Sequence, residues 1–228
     1  MGIFSILERA LLRFVVTRHK LGFSQFGEEK LVGKLLGKMG VKDIYYLDIG
    51  TNDPVYNNNT YLFYCRGHKG VCVEANPDLA RKTQKLRPRD ICLNVGACGD
   101  DTEAEKTFFL LSSNVLSSFS AEFMPSENDS VREISIKMTS VDKIITEACE
   151  KEPNFISIDV EGMEEEIIRS FDFSKHSPEV FCIETLELNG KKRTDIIDFM
   201  ATKNYLAIAD TYVNTIFVNK ERWENRTR

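Results

Sequence analysis

Short apolar runs alternate with amphipathic stretches along most of the chain. "IYYLDIG" (44–50), "GVCVEAN" (70–76), "DICLNVGAC" (90–98), "FISIDV" (155–160) and "EVFCIET" (179–185) each read as a buried strand. The stretches between them read as helices. One lies around Asn59–Arg66 and is closed by Gly67. "PDLARKTQKLR" has Asn76 to cap it and Pro77 for its first turn. Thr139-x-x-Asp142 opens a third in the manner of a capping box, and "MEEEIIRSF" carries glutamates in its first turn, where the helix dipole favours them. A further helix is expected over 192–203. Strands alternating with helices predict a doubly wound α/β fold, one parallel sheet with helices on both faces. The end departs from this: "YLAIAD" and "TIFVN" are separated only by Thr211–Asn214. So short a link holds no crossover helix, so the last strand is expected to return antiparallel.

Two regions fall outside the alternation. Residues 107–111 and 131–138 read as strands around a Ser/Asn-rich loop, 112–130, with Asn114, Ser117 and Ser118; a surface loop is the default, but its length favours a lid over the acceptor site. The first 40 residues read as a helical extension preceding a domain over 41–228. Ile3, Leu7, Ala10, Leu11 and Phe14 share one face of its first helix. That helix can pack on its own domain, or touch a membrane surface peripherally through residues 1–20, with Arg13, Arg18, His19 and Lys20 near its end. A second helix follows Ser24-Gln25-Phe26.

Composition narrows the function classes. The net charge is −5 over 228 residues, which argues against nucleic acid as the partner. No apolar run reaches the roughly 20 residues of a membrane span, and no signal-peptide pattern is present, so a cytoplasmic location is expected. Six cysteines lack metal-finger or redox spacing and read as buried thiols. His176 reads as a solvated loop histidine, His68 as part of a helix end, and Trp223 as surface.

The chemistry gathers where the strands stop, the place where open α/β sheets bind ligands. The first run ends on Asp48, Gly50, Thr51, Asn52 and Asp53. The second ends on Glu74, Ala75 and Asn76, the third near Asn94 and Gly96, the fourth on Asp159 and Glu161, the fifth on Glu184. Gly50 lets the backbone turn close to a ligand. Glu74 can accept both hydroxyls of a ribose. The diphosphate fingerprint G-x-G-x-x-G is missing, which counts against a nicotinamide dehydrogenase. An acidic lip instead suits a cationic nucleoside such as S-adenosyl-L-methionine.

Several segments, "DIGTNDP…NNTYLFY…GHKGVCVEANP", "SSFS" (117–120), "FISIDVEGMEEEII" and "PEVFCIET", together resemble the FkbM family of S-adenosylmethionine-dependent methyltransferases. The resemblance runs over roughly residues 22–219 and includes Ser24-Gln25-Phe26-Gly27-Glu28-Glu29. It implies a Rossmann-like methyltransferase sheet and O-methylation of a sugar, glycan or secondary metabolite. The first loop has fewer glycines than the commoner methyltransferase loop, which leaves the contacts of Thr51 to Asp53 open.

Methyl transfer to a hydroxyl needs alignment and a base. Asp159, Glu161 and Glu184 are the candidates; three clustered acids could also hold Mg²⁺ or Ca²⁺, but no histidine accompanies them at ligand spacing and no metal is expected. A catalytically silent scaffold that binds a partner through its first helix is the alternative.

Overall fold

The computed structural model describes residues 22–100, 105–111, 119, 131–160, 162–187 and 190–226. Ten strands are present among them: β1 Tyr45–Ile49, β2 Lys69–Val73, β3 Ile91–Leu93, β4 Gly96–Cys98, β5 Glu105–Leu111, β6 Val131–Ser140, β7 Phe155–Ile158, β8 Val180–Glu184, β9 Tyr205–Asp210 and β10 Asn214–Asn219. Seven form one sheet in the order β3-β2-β1-β7-β8-β10-β9. The pairs from β3 to β8 are parallel, whereas β10 runs antiparallel to both β8 and β9. The expected doubly wound sheet with a returning last strand is therefore present. That strand lies inside the sheet, with β9 outermost.

Side-chain alternation along each strand decides which face a residue meets. Tyr45, Leu47, Ile49, Ile156, Ile158, Phe181, Ile183 and Phe217 share one face. Helices Val141–Ala148, Glu164–Ser170 and Thr194–Thr202 cover it with Ile144, Ile145, Ile167, Ile168, Ile196 and Met200. Tyr46, Phe155, Val180, Cys182, Ile216 and Val218 point the other way, under helices Glu28–Lys38 and Tyr61–Cys65, which contribute Val32, Leu36, Leu62 and Phe63. Each such fully buried side chain stabilises by about 1.5–3 kcal/mol. Asp48 has the parity of Tyr46, so its carboxylate enters the second face.

The third apolar run is not one strand. Asn94 donates its side-chain amide to the carbonyls of Glu74 and Ala75, both at 2.9 Å, where β3 ends. The chain then leaves β2, and Gly96–Cys98 pairs with β6 in a second sheet, β4-β6-β5. Two cap assignments come out differently from each other. Asn76 caps helix Pro77–Leu86 by accepting from the Asp78 and Leu79 N–H groups, as expected. Ser140, not Thr139, caps helix Val141–Ala148 through the Lys143 N–H.

Three further expectations are corrected. His176 is buried, its Nε2 2.9 Å from Asp142 and its Nδ1 3.1 Å from Glu152, so two carboxylates replace the water a solvated loop would supply. It stands at the amino ends of β7 and β8, opposite the strand ends that carry the chemistry. Trp223 lies in a short helix, Lys220–Glu224, half-buried against the second core with Lys38 Nζ 5.9 Å from its ring. The helix expected around Asn59–Arg66 spans only Tyr61–Cys65. Residues 1–21 and nearly all of the 112–130 loop, with the expected surface helix and acceptor cover, lie outside the described residues. No described helix is long and apolar enough to cross a membrane.

Candidate active site

A pocket open to solvent lies at the carboxyl ends of β1, β2 and β7. Gly50, Asn52, Glu74, Ala75, Asn76, Gly96 and Asp159 line it, joined by Gln25, Asn57, Leu79, Val95, Ala97, Phe108, Phe119 and Val160. The strand order divides this lining. Leu79, Val95, Ala97, Phe108 and Phe119 form an apolar pouch beyond β2, with the two phenylalanine rings 4.7 Å apart. The polar groups gather toward β1 and β7.

Gly50 makes the central turn. Its φ is +79°, and an added β-carbon would lie 1.7 Å from the Asp159 carbonyl oxygen. The N–H groups of Gly50 and Thr51 both donate to the Val73 carbonyl, at 3.0 and 3.1 Å, tying the loop to the end of β2. Glu74 completes the tie: its Oε2 accepts the Asn52 N–H at 2.6 Å and its Oε1 the Asn76 N–H at 2.7 Å. Burial raises its carboxyl to about 7, against the pull of those two bonds and helped by the charges of Asp48 and Asp159.

The other residues expected at the cofactor face stand behind the loop rather than in the pocket. Thr51 donates its hydroxyl to the Asp48 carbonyl. Asp53 caps its own turn through the Val55 and Tyr56 N–H groups and pairs with Lys82. Asn94 closes β3 as described above. Asp48 Oδ2 accepts from the Thr60 hydroxyl at 2.6 Å and from the Asn58 amide at 3.3 Å. That amide also reaches the carbonyls of Thr51 and Asp53.

Behind Asp48 lies Arg87, wholly buried, a residue that sequence reasoning missed. Its Nε is 2.7 Å from Asp90, its Nη2 2.8 Å from Thr60 Oγ1 and its Nη1 3.7 Å from Asp48. Tyr46 donates to Asp90 at 2.8 Å. The network fixes the underside of the 51–60 loop. Burial pushes the Asp48 carboxyl up, and the Arg87 charge and the Thr60 bond oppose that push.

Asp159 follows β7, its N–H bonded to the Ile49 carbonyl. Carboxylate oxygens of Asp159, Glu164 and Glu184 all lie within 4.8 Å of one another, close enough to share a proton or to meet a cation. Burial, then the Glu164 charge, raises the Asp159 carboxyl above the usual range, while its hydrogen bond with Glu184 pulls it back. Glu161 lies outside the described residues. Glu164, unforeseen, folds back on the turn, accepting the Val160 N–H at 2.8 Å and the Gly162 N–H at 3.0 Å. First-turn glutamates were visible in the sequence. Which one turns inward depends on the helix start, and nothing in the pattern fixes that.

The chain matches the family described as Methyltransferase FkbM domain over residues 48–207, more than half its length, and it belongs to that family. It is an S-adenosyl-L-methionine-dependent methyltransferase. No curated protein matches it significantly. Among solved structures it is similar to a TehB-like methyltransferase from Corynebacterium glutamicum, at 10% identity over 95% of this chain and 98% of that one, with a TM-score of 0.44. An O-methyltransferase from Bacillus cereus in complex with SAH gives 11% identity over 96% and 90%, TM-score 0.39. A precorrin-6y C5,15-methyltransferase from Geobacter metallireducens gives 13% over 83% and 87%, TM-score 0.40.

Proposed function

We propose that this methyltransferase acts on a hydroxyl oxygen of a sugar, glycan or secondary metabolite, with Asp159 as the base. The pocket's donor set fits the methyl donor. Glu74 offers a carboxylate to two ribose hydroxyls, the pouch from Leu79 to Phe119 takes a flat apolar base, and the acids on the β7 side suit a sulfonium and an ammonium. When bound, the donor supplies an electrophilic methyl group that needs no further activation.

What remains for the chain is alignment and proton removal. Asp159 takes the acceptor's hydroxyl proton as that oxygen forms its bond to carbon and the carbon–sulfur bond breaks, its electrons staying on sulfur. A carboxyl raised toward neutrality holds such a proton better than an ordinary aspartate. Glu184 shares the acid cluster with Asp159, and Glu164 accepts the N–H groups of Val160 and Gly162, which follow Asp159. The observation that carries the reading is the raised, clustered Asp159 at the rim of the Glu74 pocket.

The test incubates the protein with donor labelled in the methyl carbon and a panel of free sugars, oligosaccharides and small hydroxylated metabolites. A product carrying the label on oxygen, located by NMR, is expected. Label found on nitrogen or carbon would sink the O-methyl assignment.

A further inference from the structure

The stretch Ser24-Gln25-Phe26-Gly27-Glu28-Glu29 has no part in the chemistry above, yet it is tightly held. Glu28 and Glu29 open helix Glu28–Lys38 and are both 0% exposed. Charged groups buried this way need several donors. Glu29 accepts the Phe23 N–H at 3.1 Å and the Ser24 hydroxyl. Glu28 accepts the Phe26 N–H at 2.9 Å, the Thr211 hydroxyl at 2.7 Å and the Asn214 amide at 3.2 Å. The Phe23 carbonyl takes the Asn58 N–H at 3.1 Å, and the Phe23 ring meets Tyr61 edge-on at 4.8 Å. The turn is thereby fastened to the first loop on one side and to the β9–β10 hairpin on the other. The residue it presents to the pocket is Gln25.

The methyl donor ends in an α-ammonium and an α-carboxylate. The acids around Asp159 suit the first, but the second needs N–H donors. Among the described residues, no lysine, arginine or histidine lines the pocket, whereas three side-chain amides besides that of Asn76 do: Gln25, Asn52 and Asn57. Asn52 stands on the ribose side, its N–H on Glu74. Gln25 belongs to the turn that Glu28 ties to Asn214, the strand partner of Glu184, and so stands on the β8 side.

We propose that Gln25, which lines the same pocket as Asn57, binds the carboxylate of the donor's methionine end through its side-chain amide. This rests on the donor occupying this pocket.

Calorimetry with two probes tests the assignment: S-adenosylhomocysteine and its decarboxylated analogue, S-(3-aminopropyl)-5′-thioadenosine. Gln25→Ala should weaken the first about tenfold while changing the second less than about twofold. Gln25→Glu, which sets a negative charge against the carboxylate, should weaken the first further and leave the second bound. Equal losses for both probes, or no loss for either, would overturn the role of Gln25 alone. No binding of S-adenosylhomocysteine to the unaltered protein would overturn the cofactor site beneath it.

Discussion

Gly50 and Asp159 approach so closely that a β-carbon at position 50 would overlap the Asp159 carbonyl oxygen, 1.7 Å away. The turn that opens the pocket and the backbone of the proposed base are thus one mechanical unit.

Gly50→Ala tests that unit. A left-handed alanine costs about 1–2 kcal/mol before any overlap is counted. The overlap is with backbone, so Asp159 must shift. We expect a lower Tm and a loss of S-adenosylhomocysteine affinity together. A variant that melts and binds like the parent would show that the two loops adjust freely.

Asp159→Asn removes the proton acceptor and keeps the shape. Turnover should fall at least about tenfold, and by more than any loss of S-adenosylhomocysteine affinity from the missing charge near its ammonium. Unchanged turnover takes the base role from Asp159 and leaves it to Glu184 or Glu161.

Glu74 carries a pH dependence whose sign follows from its carboxyl near 7. Ribose hydroxyls donate to the charged form, so donor binding should strengthen as pH rises through that value, by about tenfold from about pH 6 to about pH 8. The folded protein without ligand behaves oppositely. Because the folded pKa is raised, the contribution of Glu74 to stability is full below the ordinary glutamate range and is lost as pH climbs toward 7. Glu74→Ala should weaken S-adenosylhomocysteine binding by about 1–3 kcal/mol and flatten its pH profile. A dissociation constant that the substitution leaves unmoved would refute the ribose contact.

Arg87→Met leaves Asp48 and Asp90 buried without their cation. Breaking a buried pair from one side typically costs about 3–5 kcal/mol. Urea denaturation should show a loss of that size, accompanied by weaker cofactor binding through the loosened 51–60 loop. A loss below about 1 kcal/mol would mean that the carboxylates simply take up protons.

The strand ends were legible because apolar runs halt abruptly at Asp48, Glu74, Asp159 and Glu184, and alternation with helices leaves few topologies. The split at Asn94 was not legible. A nine-residue apolar run reads the same whether its strand keeps one partner or exchanges it. Arg87 was invisible for a different reason. An arginine just past a helix end is ordinarily solvated, and only the fold brings Asp48, Thr60 and Asp90 around it. Asp48 itself read as a pocket residue because it ends a strand, and its parity with Tyr46 turns it to the back. Gln25 was seen only as part of a motif, since its place depends on a hairpin nearly 190 positions downstream, where Asn214 meets Glu28.

The position of β10 between β8 and β9 has a consequence for biosynthesis. A nascent chain that has emerged only as far as residue 213 still lacks the neighbour that holds β9 and the amide that Glu28 requires. The donor crevice therefore acquires its far wall only once residues 214–219 have emerged, and a product truncated before them is born without a finished one.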